Sequence, residues 1–237
     1  MLREQILFEN FYQAVRSLES ACKRVGRNPQ EITLLAVTKY ALDKDVLTLL
    51  QKGVLTDIGE SRVQQAWARW KENADFAKFT QVKKHFIGHL QKNKIAKAAQ
   101  LFDAVDSLDD FETARLLSKY LPAGKILTVL VQVKLTERET QSGLPLTQAR
   151  ALVKQLQGTF ENIRVQGYMA VAPQGADEKT LRGLFKTLKQ AFDEDFKQVP
   201  KAQLSLGMSE DFSVAVEEGS TLPRLGSLLF SRNLEEV

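Results

Sequence analysis

Lys39 combines residue type and position in the way most suggestive of chemistry. It closes the apolar run Leu34-Leu35-Ala36-Val37-Thr38. At the end of a buried segment an amine is partly desolvated, which disfavours the ammonium form and frees the neutral amine. A neutral amine adds to a carbonyl carbon and forms a Schiff base. The competing account is a flanking lysine that lays its methylenes on apolar surface and keeps its charge in water. Two further segments bear on the choice. Leu204-Ser205-Leu206-Gly207-Met208-Ser209 and Pro223-Arg224-Leu225-Gly226-Ser227 each place small, flexible residues just before a helix start. Backbone N–H groups at helix N-termini bind phosphate. Alone, either turn reads as ordinary cap chemistry for Ser209 and Gly226. Together, and opposite a strand-end lysine, they point to a phosphorylated carbonyl ligand, with pyridoxal phosphate as the leading candidate.

The elements that must hold these residues follow from the hydrophobic pattern. Leu7, Phe11, Val15, Leu18, Cys22 and Val25 recur at spacings of three and four, which predicts a leading amphipathic helix closed by Gly26. Short apolar runs then alternate with helical segments. The runs are ITLLAV, LTDIG, KHFIG, LFDAVDS, ILTVLVQVKL, IRVQGYMAVA, AQLSLG and STLPRLG. The intervening helices are predicted at about 43–52, 62–73, 93–100, 109–120, 147–157, 177–196 and 210–218, with a short terminal helix after the last run. Eight strands, each followed by a helix, imply parallel pairing and a closed (β/α)8 barrel with an extra N-terminal helix. An open doubly wound sheet would favour a glycine-rich fingerprint after the first strand. Thr38-Lys39-Tyr40 contains no glycine.

Function in such a barrel gathers at the carboxyl ends of the strands, often with a phosphate site after strands seven and eight. Those ends here are Lys39, the turn Gly59-Glu60-Ser61-Arg62, His85 to Asn93, Asp106-Ser107, Lys134, Met169 to Pro173, Gly207-Met208-Ser209 and Arg224-Leu225-Gly226-Ser227.

Composition sets the outer bounds. The 237 residues fit one barrel domain spanning 1–237, with 1–26 as its leading helix. Thirty-three basic against 29 acidic residues leave a net charge of +4, a mild bias. The clusters Lys83-Lys84 and Lys92, Lys94, Lys97 read as solvated faces, so no nucleic-acid partner is expected. Cys22 is the one cysteine, which excludes an internal disulfide; it reads as a small buried hydrophobe. His85 and His89 cannot by themselves form a three-histidine metal site and read as polar lining of the barrel mouth. No 18-residue apolar stretch predicts a membrane span. Glu4, Glu9, Arg16 and Glu19 interrupt the N-terminal segment, so it does not read as a secretory signal, and a cytoplasmic location is expected.

The motifs LLAVTK, IGESRVQQA, HFIGHLQKNK, VDSLD, VQVKLTERETQSGLP, GYMAV and LSLGMSEDFSVAVEEGSTLPRLGSLLF run in order over nearly the whole chain. In this combination the sequence resembles the YggS/PROSC family of pyridoxal-phosphate homeostasis proteins. The resemblance implies a single (β/α)8 barrel similar to the N-terminal domain of alanine racemase. It implies that Lys39 carries the cofactor as an internal aldimine. Ser209, Gly226 and Ser227 match the family's phosphate-binding positions, and Gly207 lies in the same turn. Arg224 matches the arginine that faces the pyridine nitrogen. Met169, Ser205 and Val37 match positions lining the ring pocket. Two departures stand out. The family usually reads GEN where this chain has Gly59-Glu60-Ser61, so the contact of that side chain near the cofactor is lost or water-mediated. At Ser227 the family more often has threonine, which keeps the hydroxyl.

Enzymes that use the pyridine ring as a strong electron sink pair its nitrogen with a carboxylate. An arginine there cannot accept the pyridinium proton. Racemases of the related fold tolerate arginine, but they add a C-terminal β domain and take a catalytic tyrosine from a dimer partner. The chain ends at Val237, and none of Tyr12, Tyr40, Tyr120 and Tyr168 matches that role by motif. The expectation is a monomeric, non-catalytic protein that buffers pyridoxal phosphate and delivers it to apo-enzymes. The alternatives are an amino-acid racemase or related enzyme, and a nucleic-acid-binding regulator.

Overall fold

A short apolar run followed by a helix returns the chain to the same edge of the sheet, so successive strands lie parallel. The computed structural model describes residues 2–136 and 141–231. Its strands are β1 (Leu35–Val37), β2 (Asp57–Glu60), β3 (Lys83–Phe86), β4 (Ala104–Leu108), β5 (Leu127–Lys134), β6 (Ile163–Val171), β7 (Gln203–Ser205) and β8 (Arg224–Leu225). They form one parallel sheet in the order β7-β6-β5-β4-β3-β2-β1-β8. The remaining seam is closed by irregular backbone bonds. Thr221 and Leu222 N–H donate to the Leu204 carbonyl at 2.9 and 3.2 Å, and Arg224 N–H donates to Gly207 at 2.9 Å. The result is a nearly closed (β/α)8 barrel.

The helices are α1 (Arg3–Arg24), α2 (Asp43–Gln51), α3 (Val63–Trp67), α4 (Ala74–Ala77), α5 (Ile95–Leu101), α6 (Phe111–Tyr120), α7 (Leu146–Leu156), α8 (Glu178–Asp195), α9 (Phe212–Glu217) and α10 (Ser227–Phe230). Helix α1 buries Leu7, Leu18 and Cys22 as its spacing predicts. Val25 departs from the prediction: α1 stops at Arg24 and Val25 is 45% exposed beyond it. Arg3 pins α1 to its neighbours, donating to Asp45 on α2 and to the Phe230 and Ser231 carbonyls. The continuous helix predicted over 62–73 is instead α3 followed by a π-helical turn over Ala68–Glu72.

The main apolar core lies between the strands and the helices. A second, smaller cluster of Leu35, Leu130, Met169 and Leu222 sits within the barrel, with Ile87 and Val171 packed against it. A Cβ on Gly59 would touch both Leu35 and Ile87, so positions 35, 59 and 87 share the inner face. Alternation along the strands puts Val37, Asp57 and His85 on that face as well. Positions 137–140 of the shared segment Val131 to Pro145, and the terminus through Val237, lie outside the described residues.

Candidate functional site

Lys39 leaves β1 after a buried Thr38, and the backbone on both sides of it is pinned. Thr38 N–H donates to Gly59 at 3.0 Å, and its hydroxyl donates to Glu60 Oε1 at 2.8 Å. Arg69, carried on the π-helical turn, reaches back with the whole guanidinium. It donates to Glu60 Oε1 at 2.6 Å, to the Thr38 carbonyl at 3.0 Å, to the Ala41 carbonyl at 3.1 Å and to Asp43 Oδ1 at 2.8 Å. Gln65 donates to the Lys39 carbonyl at 3.2 Å. The Arg69 side chain is 3% exposed and Glu60 is fully buried, so this is a desolvated ion pair that fixes a loop. Lys39 itself is half-buried, its Nζ 5.1 Å from the centroid of the Tyr40 ring. Arg62 lies 5.9 Å from the same ring.

Arg224 enters from β8, which pairs directly with β1, Leu35 in register with Arg224, so this side of the site lies beside Lys39 rather than opposite it as the sequence suggested. Its NH1 donates to the Ser205 carbonyl at 2.9 Å and to Ser205 Oγ at 2.8 Å, and its NH2 donates to the Ala170 carbonyl at 2.9 Å. Its Nε–H has no protein acceptor among the described residues. Burial lowers the guanidinium to about 10, against the opposing pull of Asp106 and Asp211. The two glycine-containing turns meet beside it. Leu228 N–H at the start of α10 donates to Ser209 Oγ at 3.3 Å, which ties the turn after β7 to the turn after β8. Gly207 has φ +89°, and a Cβ there would fall 2.7 Å from Phe212 Cα, so glycine is required. A Cβ on Gly226 would sit 3.4 Å from Val37 Cβ, which brings this turn against the end of β1.

The floor of the barrel is charged. His85 on β3 faces Asp106 through Nδ1 (3.1 and 3.0 Å to the two oxygens) and Asp57 Oδ1 through Nε2 at 3.1 Å. Burial alone would lower the imidazole; the two carboxylates overcome it and push it up to about 9. Burial raises the Asp57 carboxyl, and the hydrogen bond and charge of His85 override this and hold it below its usual value.

Most of the sequence-predicted residues therefore lie around one mouth. Val37 abuts Gly226; Ser205 grips Arg224; Met169 belongs to the inner apolar cluster; Gly207, Ser209 and Ser227 belong to the joined turns. Ser61 lies at the rim, packed so closely on Gly88 that a Cβ at 88 would fall 2.9 Å from Ser61 Cβ. Ser61 also lines a groove of about 520 Å³ with Arg62, Gln65, His89 and Lys94. His89 is exposed there, as a residue of the mouth should be. His85 is not mouth lining: it is 2% exposed and locked between two aspartates. Sequence reasoning did not single out Thr38, Glu60, Arg69, Asp57 or Asp106 as partners. The alternation of Asp57 with Gly59 and of His85 with Ile87 was the available signal for the floor.

Over 226 residues the chain is 31% identical to the pyridoxal phosphate homeostasis protein of Vibrio alginolyticus, covering 94% of each. It is 33% identical to the protein of the same name from Pseudomonas aeruginosa, again over 226 residues and 94% of each. The chain belongs to the pyridoxal phosphate homeostasis protein family. Among solved structures, PipY of Synechococcus elongatus without PLP matches with a TM-score of 0.78 and 30% identity, over 92% of this chain and 99% of that one. PipY with PLP bound matches at 0.75 and 28%, over 91% and 100%. Alanine racemase from Clostridium difficile matches at 0.68 and 13%, over 93% of this chain and 57% of that one, which is a likeness of fold alone. No family model matches the chain. Among the described residues no helix is long and apolar enough to cross a membrane.

Proposed function

We propose that this chain binds pyridoxal phosphate reversibly through Lys39, buffers the free aldehyde and hands it to apo-enzymes, without turning over a substrate of its own. The observation that carries the reading is the arrangement of three unlike groups around one barrel mouth. One edge holds an amine on a pinned backbone; another holds a buried guanidinium with an uncommitted Nε–H; the third is a pair of joined glycine turns. These residues fit the cofactor. Pyridoxal phosphate supplies an aldehyde, an aromatic ring with a basic nitrogen, and a phosphate.

Each residue then has a role. Lys39 supplies the amine. Thr38, Glu60 and Arg69 keep its backbone in place. Arg224 faces the ring nitrogen, held in that posture by Ser205 and Ala170. Ser209, Gly226 and Ser227 receive the phosphate, with Gly207 shaping the turn, and Val37 and Met169 flank the ring. Ser61 sits at the rim, where its short side chain leaves that side more open than an asparagine would. A guanidinium at the ring nitrogen disfavours protonation of that nitrogen, and with it strong withdrawal of electrons from an attached amine. This supports a carrier over an enzyme. We assign the chain as one domain that acts as a monomer in the cytoplasm.

Borohydride treatment of the loaded protein, followed by peptide mass mapping, tests the attachment. The reading expects the mass of reduced cofactor on the peptide containing Lys39; label on another lysine overturns it. Incubation of L-alanine with the loaded protein should give no D-alanine. Turnover abolished by Lys39→Ala would reject the carrier role.

A further inference from the structure

With the cofactor reading above as its premise, we propose that His85 is a positioning residue for Arg224: it occupies Asp106, so that Arg224 keeps donors for the ligand. His85 does not itself reach the mouth. Both of its ring nitrogens face carboxylates, Asp106 on one side and Asp57 on the other, at 3.0 to 3.1 Å. A neutral imidazole carries one N–H and one lone pair, and its lone pair would point at a carboxylate. Donation from both nitrogens makes the ring an imidazolium in a site where all three side chains are buried.

Asp106 therefore takes its hydrogen bonds from His85. Arg224 is held by neutral acceptors only, the Ser205 carbonyl, Ser205 Oγ and the Ala170 carbonyl. Arg224 stands in register with the inward-facing Leu35 and so shares the barrel interior with Asp106, which faces His85 there. The charges of Asp106 and Asp211 oppose the effect of burial on the guanidinium, and its hydrogen bonds go to neither carboxylate. Asp211 is occupied by Met208 N–H at 2.6 Å. A paired guanidinium and carboxylate form the strongest hydrogen-bonded contact available in such an interior. A free Asp106 would compete for Arg224 and draw its donors away from the mouth. His85 removes that competitor. It also balances the floor, since Asp57 and Asp106 carry two negative charges against the positive charges of His85 and Arg224.

The test is a cycle of three variants, His85→Gln, Asp106→Asn and the double variant, with apoprotein titrated by pyridoxal phosphate. Readouts are affinity and the absorption maximum of the bound cofactor, which reports the surroundings of the ring nitrogen. His85→Gln should weaken binding about ten-fold, the order of one charge-assisted contact, and move the maximum. The double variant, with Asp106 no longer charged, should recover to within about three-fold of the parent and restore the maximum. A merely structural His85 predicts a double variant as weak as His85→Gln or weaker, and that result overturns the proposal. Should His85→Gln fail to fold, nitrogen NMR of the unmutated apoprotein decides: two protonated ring nitrogens on His85 at neutral pH support the proposal, and one overturns it. An unmutated protein that binds no pyridoxal phosphate would sink the premise instead, and would show it before any variant is made.

Discussion

Raising the pH from about 6 to above 9 should remove roughly 3 kcal/mol of folding stability through one residue, His85. In the folded barrel its imidazole is pushed up to about 9 from an ordinary value of 6.5. Each unit of difference corresponds to about 1.4 kcal/mol between folded and unfolded states. The folded value is the higher one, so the native state holds the proton more tightly. The stabilisation is fully present below pH 6.5 and is lost as the pH rises through 9. Burial also pushes the Cys22 thiol up, which adds a loss of the same sign at the alkaline end; His85→Gln keeps Cys22, so the difference between the two proteins isolates the imidazole. The assay is urea unfolding of the apoprotein at several values between pH 6 and 9.5, beside His85→Gln. The unmutated protein should lose about 3 kcal/mol more than the variant across that range. Parallel profiles for the two proteins would refute the buried imidazolium, as would an imidazole that titrates near 6 in the folded state.

Other consequences test the frame around Lys39. Arg69→Met leaves Glu60 buried without its cation and should cost about 3–5 kcal/mol in urea unfolding, with weaker retention of pyridoxal phosphate because the Thr38 and Ala41 carbonyls lose their donors; an unchanged midpoint would discredit the anchor. Gly207→Ala forces a side chain into a backbone with φ +89° and a space already filled by Phe212 and Ala215, so a loss of about 1–3 kcal/mol and a weaker grip on phosphate should show in melting and in titration. Ser61→Asn restores the residue usual in the family and should slow cofactor release several-fold in a dilution experiment; faster release would mean that Ser61 is not on the cofactor's side of the rim.

The eight strands and Lys39 were readable because short apolar runs and strand-end positions are local patterns. The joined turns were readable for the same reason, since Gly207 and Gly226 sit at fixed offsets before helix starts. Arg69 was not. It acts on Thr38, 31 residues away, and a π-helical turn that re-aims it leaves no trace in a 3.6-residue period. The barrel floor was hidden differently. Interiors of such barrels are ordinarily filled by branched apolar residues, so Asp57, His85 and Asp106 on adjacent strands read as polar ends rather than as one buried array. Val25 misled because it continues the apolar stripe of α1, although the helix has already stopped at Arg24 and Val25 only leads into the turn at Gly26.

The most direct test of the central claim is the visible absorption spectrum of purified protein after addition of pyridoxal phosphate and removal of the excess. The unmutated protein should retain a band at the violet edge of the visible range, and borohydride should abolish it. Lys39→Ala, folded as shown by circular dichroism, should retain no such band. A parent protein that stays colourless, or a Lys39→Ala variant that keeps the band, would contradict the account.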